Sequence, residues 1–216
     1  MVGLRRVNIM ALYLEIHSEN PQLRLIHKAI DIIRSGGVIV YPTDSAYALA
    51  CHLDDKNALE RIRRIRQLDD KHNFTLVCKD LTQVSSFTKI NNEAFRLIKS
   101  LTPDAFTFIL EATKEVPRRL QHPKKKTIGI CIPKNPIAQK LLDELGEPLM
   151  TTTLILPTDN NALSEPYEIR ERLEDLVDLI IDGGEITYQP TTIIDCTGGN
   201  CVIVRQGKGI APMLED

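Results

Sequence analysis

Apolar positions along this chain switch repeatedly between the two-residue alternation of strands and the three-to-four spacing of helices. Residues 13–16 read as a first strand. Asn20 and Pro21 then supply an N-cap and a first-turn proline for a helix to about residue 34, with Ile26, Ala29, Ile30 and Ile33 on one stripe. Gly36 and Gly37 mark its end, residues 38–41 form a β-branched apolar strand, and Pro42, lacking an N–H, stops that strand. A helix over 56–65 turns Leu59, Ile62 and Ile65 inward. Strand 74–78, helix 92–100 and strands 106–111 and 127–132 follow. Asn135 and Pro136 repeat the cap-plus-proline device before a helix to 145, and 149–155 returns as a strand. Ser164 with Pro166 opens a further helix, and 177–181, 192–194 and 202–204 are late strands. Such alternation predicts an α/β fold with helices laid over a sheet.

The length of 216 residues suits one sizeable domain, and no repeat, low-complexity tract or Pro/Gly/Ser linker divides it. We read residues 1–12 as an N-terminal extension and 13–216 as the domain. Met10 is expected to be the functional start, leaving residues 1–9 as a frayed addition. Apolar runs are too short for a membrane span or a secretory signal, so a soluble cytoplasmic protein without a membrane partner is expected. The oligomeric state is left open by the sequence.

Cys51, Cys78, Cys131, Cys196 and Cys201 show no CxxC spacing, and free thiols are expected in place of a disulfide framework. Five histidines form no ligand motif, so no protein-bound metal site is expected. Cys131 has no identifiable partner that would make it a nucleophile.

A net charge of −2 conceals segregation. Arg61, Arg63, Arg64 and Arg66 form one basic cluster, although helical spacing prevents all four from facing one way. Lys114, Arg118, Arg119, Lys124, Lys125 and Lys126 form another. Glu165, Glu168, Glu171, Glu174, Asp175 and Asp178 lie on or near the acidic helix. A lone charge run is ordinarily a solvated face, whereas basic clusters on an acidic chain point to a localised anion site.

The most informative stretch is GGVIVYPTDSAYAL, residues 36–49, where a buried strand delivers Thr43, Asp44, Ser45 and Tyr47 to its C-terminal end. Ligands of open α/β sheets bind at such ends. Asp44 suits either support of the loop backbone or help to a metal. Gly207 and Lys208 do not make a P-loop, and no G-x-G-x-x-G follows a strand.

The PTDSAYAL segment resembles the P-T-D-T-x-Y-G-L signature of the YrdC-like family of threonylcarbamoyl-AMP synthases and RNA-binding-like proteins. Four further matches follow in order. RIRQLDDKHNFTL resembles the K-x-R segment, PDAFTFIL the P-G-P-x-T-x-I-L strand, IGICIPKNP the V-x-x-R-x-P segment, and QPTTIIDCT with VRQG the closing P-S-T-x-x-D and R-x-G. The text following the K-x-R segment is most similar to the YciO branch. The resemblance implies a twisted, mixed parallel and antiparallel sheet flanked by helices around a concave cavity. It implies a nucleotidyltransferase that joins L-threonine, bicarbonate or CO2 and ATP, with Mg2+, into threonylcarbamoyl-AMP for tRNA modification. Positioning of anions and neutralisation of charge would carry such an in-line displacement, without a side-chain nucleophile.

By the same resemblance Arg64 and Arg66 stand as catalytic triphosphate clamps, with Thr153 beside them. Thr43, Tyr47 and Thr107 stand on the amino-acid side, and Thr191, Thr192 and Arg205 reach the nucleotide. Three departures stand out: Arg64 where active synthases have Lys, Cys131 where the family has Arg, and Ile155 where it has Asn. Losing one preorganised donor costs on the order of 10²–10³ in rate. The alternative expectation is therefore a non-catalytic binder of nucleotide, tRNA or other structured RNA. Sparse aromatic residues offer no base-stacking platform for that role.

Overall fold

The computed structural model of the chain describes residues 10–69 and 72–214. Its elements run β1 (Leu12–Glu15), α1 (Leu23–Arg34), β2 (Ile39–Pro42), β3 (Tyr47–His52), α2 (Lys56–Arg66), β4 (Thr75–Val77), α3 (Leu81–Phe87), β5 (Thr88–Lys89) and α4 (Asn92–Leu101). There follow β6 (Phe106–Ala112), β7 (Thr127–Cys131), α5 (Pro136–Leu145), β8 (Leu149–Thr153), α6 (Pro166–Leu173), β9 (Leu179–Asp182), β10 (Thr192–Gly198) and β11 (Asn200–Arg205). All strands join one mixed sheet ordered β1-β9-β2-β3-β8-β4-β7-β6-β10-β11, with β5 pairing the end of β6. The expected α/β class and mixed sheet are present. Among the described residues no helix is long and apolar enough to cross a membrane.

Side-chain alternation divides the core into two layers. On one face, Ile39 and Tyr41 of β2, Ala48 and Ala50 of β3, Val77, Leu149, Leu179 and Ile181 pack under α1 and α5. On the other, Val40, Leu49, Leu76, Phe108, Ile130 and Met150 pack against Leu59 and Ile62 of α2 and Ala94 and Ile98 of α4. α1 and α5 cover only part of their face. Beyond them Thr75, Thr107, Thr153 and Cys131 carry small or polar side chains, leaving the sheet open to form a cavity wall.

Capping explains where helices begin. Asn135 accepts the N–H groups of Ile137 and Ala138 at 3.0 and 3.2 Å, Pro136 follows, and Gly146 at φ 78° ends α5. At α1 the expected start at Asn20 and Pro21 is displaced to Leu23. His17 Nδ1 accepts the N–H groups of Glu19 and Asn20, both at 3.1 Å, and holds that segment in a separate turn. α6 is capped by Glu165, one residue after the expected Ser164.

Three features depart from the sequence expectations. β3 forms an antiparallel hairpin with β2, so the chain past Pro42 returns as a strand that was not expected. Helix α3 and strand β5 occupy a stretch that carried no expectation. Cys196 and Cys201 form a disulfide across the β10–β11 hairpin, correcting the expectation of five free thiols; Cys51, Cys78 and Cys131 are free. β1 takes in Leu12, within the expected extension, and residues 1–9 lie outside the described residues.

Candidate functional site

The sheet face left uncovered by α1 and α5 opens into a concave cavity. Register puts its hydroxyls in rows. Thr75 of β4 lies opposite Thr151 of β8 on one side and Gly129 of β7 on the other, and Thr107 of β6 lies opposite Ile193 of β10. Thr43, Asp44 and Ser45 from the β2–β3 turn, Asp104 ahead of β6, Cys131 and Pro133 complete the wall. A second chamber shares Thr75 and Thr107 with the first and is lined by Gly129 between them. A Cβ at Gly129 would lie 2.9 Å from Thr75 Oγ1 and 3.4 Å from Thr107 Cγ2, so glycine keeps the waist open.

Thr43, Thr107, Thr153 and Thr191 of the expected site line this cavity. Thr107 and Thr191 hydroxyls share one hydrogen bond at 2.8 Å, which leaves the pair one further O–H to donate. Among the described residues the side-chain hydroxyls of Thr75 and Thr153 have no hydrogen-bond partner. Thr43 is differently used: its hydroxyl donates to Ala46 O at 2.6 Å and accepts the Ser45 and Ala46 N–H groups, fixing the turn.

Tyr47 and Thr192 are buried behind the lining. The Tyr47 hydroxyl donates to Gly184 O at 2.7 Å and accepts Gly183 N–H at 3.1 Å, and burial raises its pKa. Thr192 donates to Gly209 O at 2.6 Å and accepts Gly207 N–H at 2.9 Å, tying residues 205–210 to the start of β10.

The arginines stand outside the lining. Arg64 is exposed on α2. Arg66 is half-buried and donates through Nε to Ile155 O at 2.7 Å and through Nη1 to Thr152 Oγ1 at 2.7 Å. Burial lowers its pKa from the ordinary arginine value. Arg61 pairs with Asp178 at 2.5 Å, and the Arg63 guanidinium lies 5.1 Å from the Phe74 ring centroid. The four arginines of α2 thus diverge, as their spacing requires. Arg205 donates to Thr191 O at 2.8 Å and is exposed.

Asp44 supports backbone: its carboxylate accepts the Lys134 N–H at 2.8 Å, joining the β2–β3 turn to the entry of α5. Burial raises its pKa, opposed by the Lys134 and Asn135 amides and by the Lys208 charge. Burial, and then the Asp44 charge, push the Cys131 thiol up to about 12, so it is neither thiolate nor ready nucleophile near neutral pH. Among the described residues no cluster of three or more His, Cys, Asp or Glu side chains could hold a metal ion.

Sequence reasoning missed Thr75, Asp104 and His72. His72 Nε2 lies 3.0 Å from Thr152 Oγ1 and its ring meets Phe74 edge-on at 5.1 Å. Burial, with Arg66 and Arg63 nearby, lowers its pKa to about 4. The geometry suits the positioning of a small polar ligand by hydroxyls.

Comparison with known proteins follows the same lines. The family model Sua5_yciO_yrdC, described as "Telomere recombination", matches residues 31–207. Over 206 residues the chain is 56% identical to YciO of Escherichia coli K12, an uncharacterised protein, covering 95% of this chain and all of that one. The E. coli YciO crystal structure superposes with a TM-score of 0.91 over 95% of this chain and 100% of that chain, at 55% identity. A threonylcarbamoyl-AMP synthase of Pseudoalteromonas translucida is 30% identical over 180 residues, 81% of this chain and 94% of that protein. P. abyssi Sua5, solved with L-threonine, matches at a TM-score of 0.84 and 25% identity over 91% of this chain and 58% of its own. With its fold and ordered motifs in agreement, the chain belongs to the Sua5/YciO/YrdC family.

Proposed function

We propose that this chain binds ATP and L-threonine and, with bicarbonate or CO2, forms threonylcarbamoyl-AMP with release of pyrophosphate, for use in tRNA threonylcarbamoyladenosine formation. The observation that carries this reading is the hydroxyl-lined cavity, in which Thr43, Thr107, Thr153 and Thr191 gather from four separate stretches of the chain. The 30% identical synthase and the Sua5 solved with L-threonine supply the chemical class.

In this reading the threonine hydroxyls orient the amino acid. The carbamate, once formed, attacks the α-phosphorus and pyrophosphate leaves. Arg66 fixes the end of β8, and Arg64, exposed on the same helix, meets phosphate oxygens from solvent. Asp44 and Asp104 are the carboxylates of the lining and would be the residues to hold a Mg2+ arriving with the nucleotide. Such an ion supplies charge neutralisation at the phosphates.

A second reading, binding of nucleotide or RNA without turnover, is favoured by one observation. Cys131 presents a neutral thiol and Ile155 an apolar side chain where synthases of the family have Arg and Asn. Calorimetry with a panel of nucleotides, with and without L-threonine, tests the proposal. ATP binding that tightens with L-threonine supports the synthase reading. Nucleotide binding indifferent to L-threonine supports the second, with RNA affinity that falls steeply with salt as its companion.

A further inference from the structure

The lining of the first cavity contains two carboxylates, Asp44 and Asp104, and no Lys, Arg or His. A ligand with an anionic end therefore finds no cation inside the wall. One cation bonded to a lining residue belongs to the strap of residues 205–210. Lys208 Nζ donates to the Asp44 carbonyl oxygen at the cavity mouth, and its charge acts on the Asp44 carboxylate.

This lysine is held in place by its neighbours. Its backbone N–H donates to Pro190 O at 2.8 Å. Gly207 presses against Pro190 and Thr191, and Gly209 against the Phe106 ring, where a Cβ would come within 2.6 Å of Cζ. Gly209 O accepts the Thr192 hydroxyl at 2.6 Å and Gln206 Nε2 at 2.8 Å. Among the described residues Lys208 forms no ion pair with a carboxylate. A carbonyl oxygen leaves its charge unneutralised, and the pinned backbone holds that charge over the mouth.

We propose that Lys208 is the anion anchor of this cavity, its ammonium taking the carboxylate or phosphate end of a ligand whose other end lies among the threonine hydroxyls. This inference rests on the reading of the cavity as a substrate site. It assigns a binding role to a residue just past the R-x-G motif, where a cation over the mouth offsets the loss of the family arginine at Cys131. Lys134 provides an internal control, because its backbone N–H meets the Asp44 carboxylate while its exposed side chain makes no hydrogen bond or ion pair among the described residues.

The test is calorimetric titration of the purified full chain with ATP, adenosine and L-threonine separately. Lys208→Gln should weaken ATP, L-threonine or both about tenfold or more, the loss of one charge-assisted hydrogen bond, and leave adenosine unchanged. Loss confined to ATP identifies phosphate as the anchored group, and loss confined to L-threonine identifies carboxylate. Lys208→Arg should retain most of the affinity, and Lys134→Gln should stay within about twofold of the parent. Unchanged anion binding in Lys208→Gln, an equal loss for adenosine, or an equal effect of Lys134→Gln overturns the anchor. A parent chain that binds none of the three overturns the cavity reading as well. Binding that survives with no pyrophosphate release overturns the catalytic reading alone.

Discussion

Arg66, on the last turn of α2, donates from Nη1 to the Thr152 hydroxyl of β8 at 2.7 Å, and the same hydroxyl lies 3.0 Å from His72 Nε2. Residues 66–72 and strand β8, some eighty residues on, thus meet at the cavity wall. Arg66 also reaches Ile155 O at 2.7 Å, so one guanidinium holds both the strand and the turn that follows it. Those contacts fix where Thr153 presents its hydroxyl.

Replacing Arg66 by Met should therefore lower the unfolding free energy by about 2 kcal/mol, because two acceptors lose a charged donor in a half-buried setting. Arg66→Lys should recover less than half of this, since a single ammonium does not reproduce the planar fork. Urea unfolding of the three proteins measures it; equal stability of all three would show that the contacts are idle.

His72 makes stability depend on pH with a definite sign. Its folded pKa of about 4 lies below the ordinary histidine value of 6.5, so the unfolded chain takes up a proton first as pH falls. Its contribution is present above about pH 6.5 and is lost as pH falls towards 4, amounting to on the order of 2 kcal/mol after screening. The difference in unfolding free energy between the parent and His72→Gln should shrink across that window. A difference that stays flat from pH 7 to 4 would contradict the lowered pKa, which ring-proton NMR titration also reads directly.

Gly129 sets the waist between the two chambers. Gly129→Ala should cost about 1–3 kcal/mol through overlap with Thr75 Oγ1, and Thr75→Ala in the same chain should restore more than half of that loss. On the proposed reading, with the nucleotide reaching through the waist into the second chamber, ATP should bind about tenfold more weakly to Gly129→Ala while L-threonine is unaffected. Calorimetry beside urea unfolding separates the two effects; unchanged ATP affinity would place the nucleotide within a single chamber.

Much of this arrangement is legible in the residues themselves. Asn135 and Pro136 announce the start of α5, and the PTDSAYAL and PDAFTFIL segments carry Thr43 and Thr107, which line the cavity. β3 is not legible, because Tyr47, Ala48, Leu49, Ala50 and Cys51 are buried on both faces and contain no β-branched residue, which erases both alternation and strand propensity. Thr75 and His72 acquire their roles only from strand order: β4 lies between β8 and β7, and periodicity carries no information about that neighbourhood. Cys196 and Cys201 come together through the irregular register of one hairpin, which their spacing does not reveal. Arg66 was expected to face phosphate by its place in the K-x-R segment, whereas burial beside β8 supplies it with protein acceptors.

Pyrophosphate release by the purified chain, given ATP and bicarbonate with and without L-threonine, tests the central claim most directly. The account predicts release that depends on L-threonine, falls about tenfold or more in a Thr107→Val, Thr153→Val chain, and falls to background in an Arg64→Ala, Arg66→Ala chain that still folds. Release absent from the parent chain, or indifferent to L-threonine and to these substitutions, would contradict it.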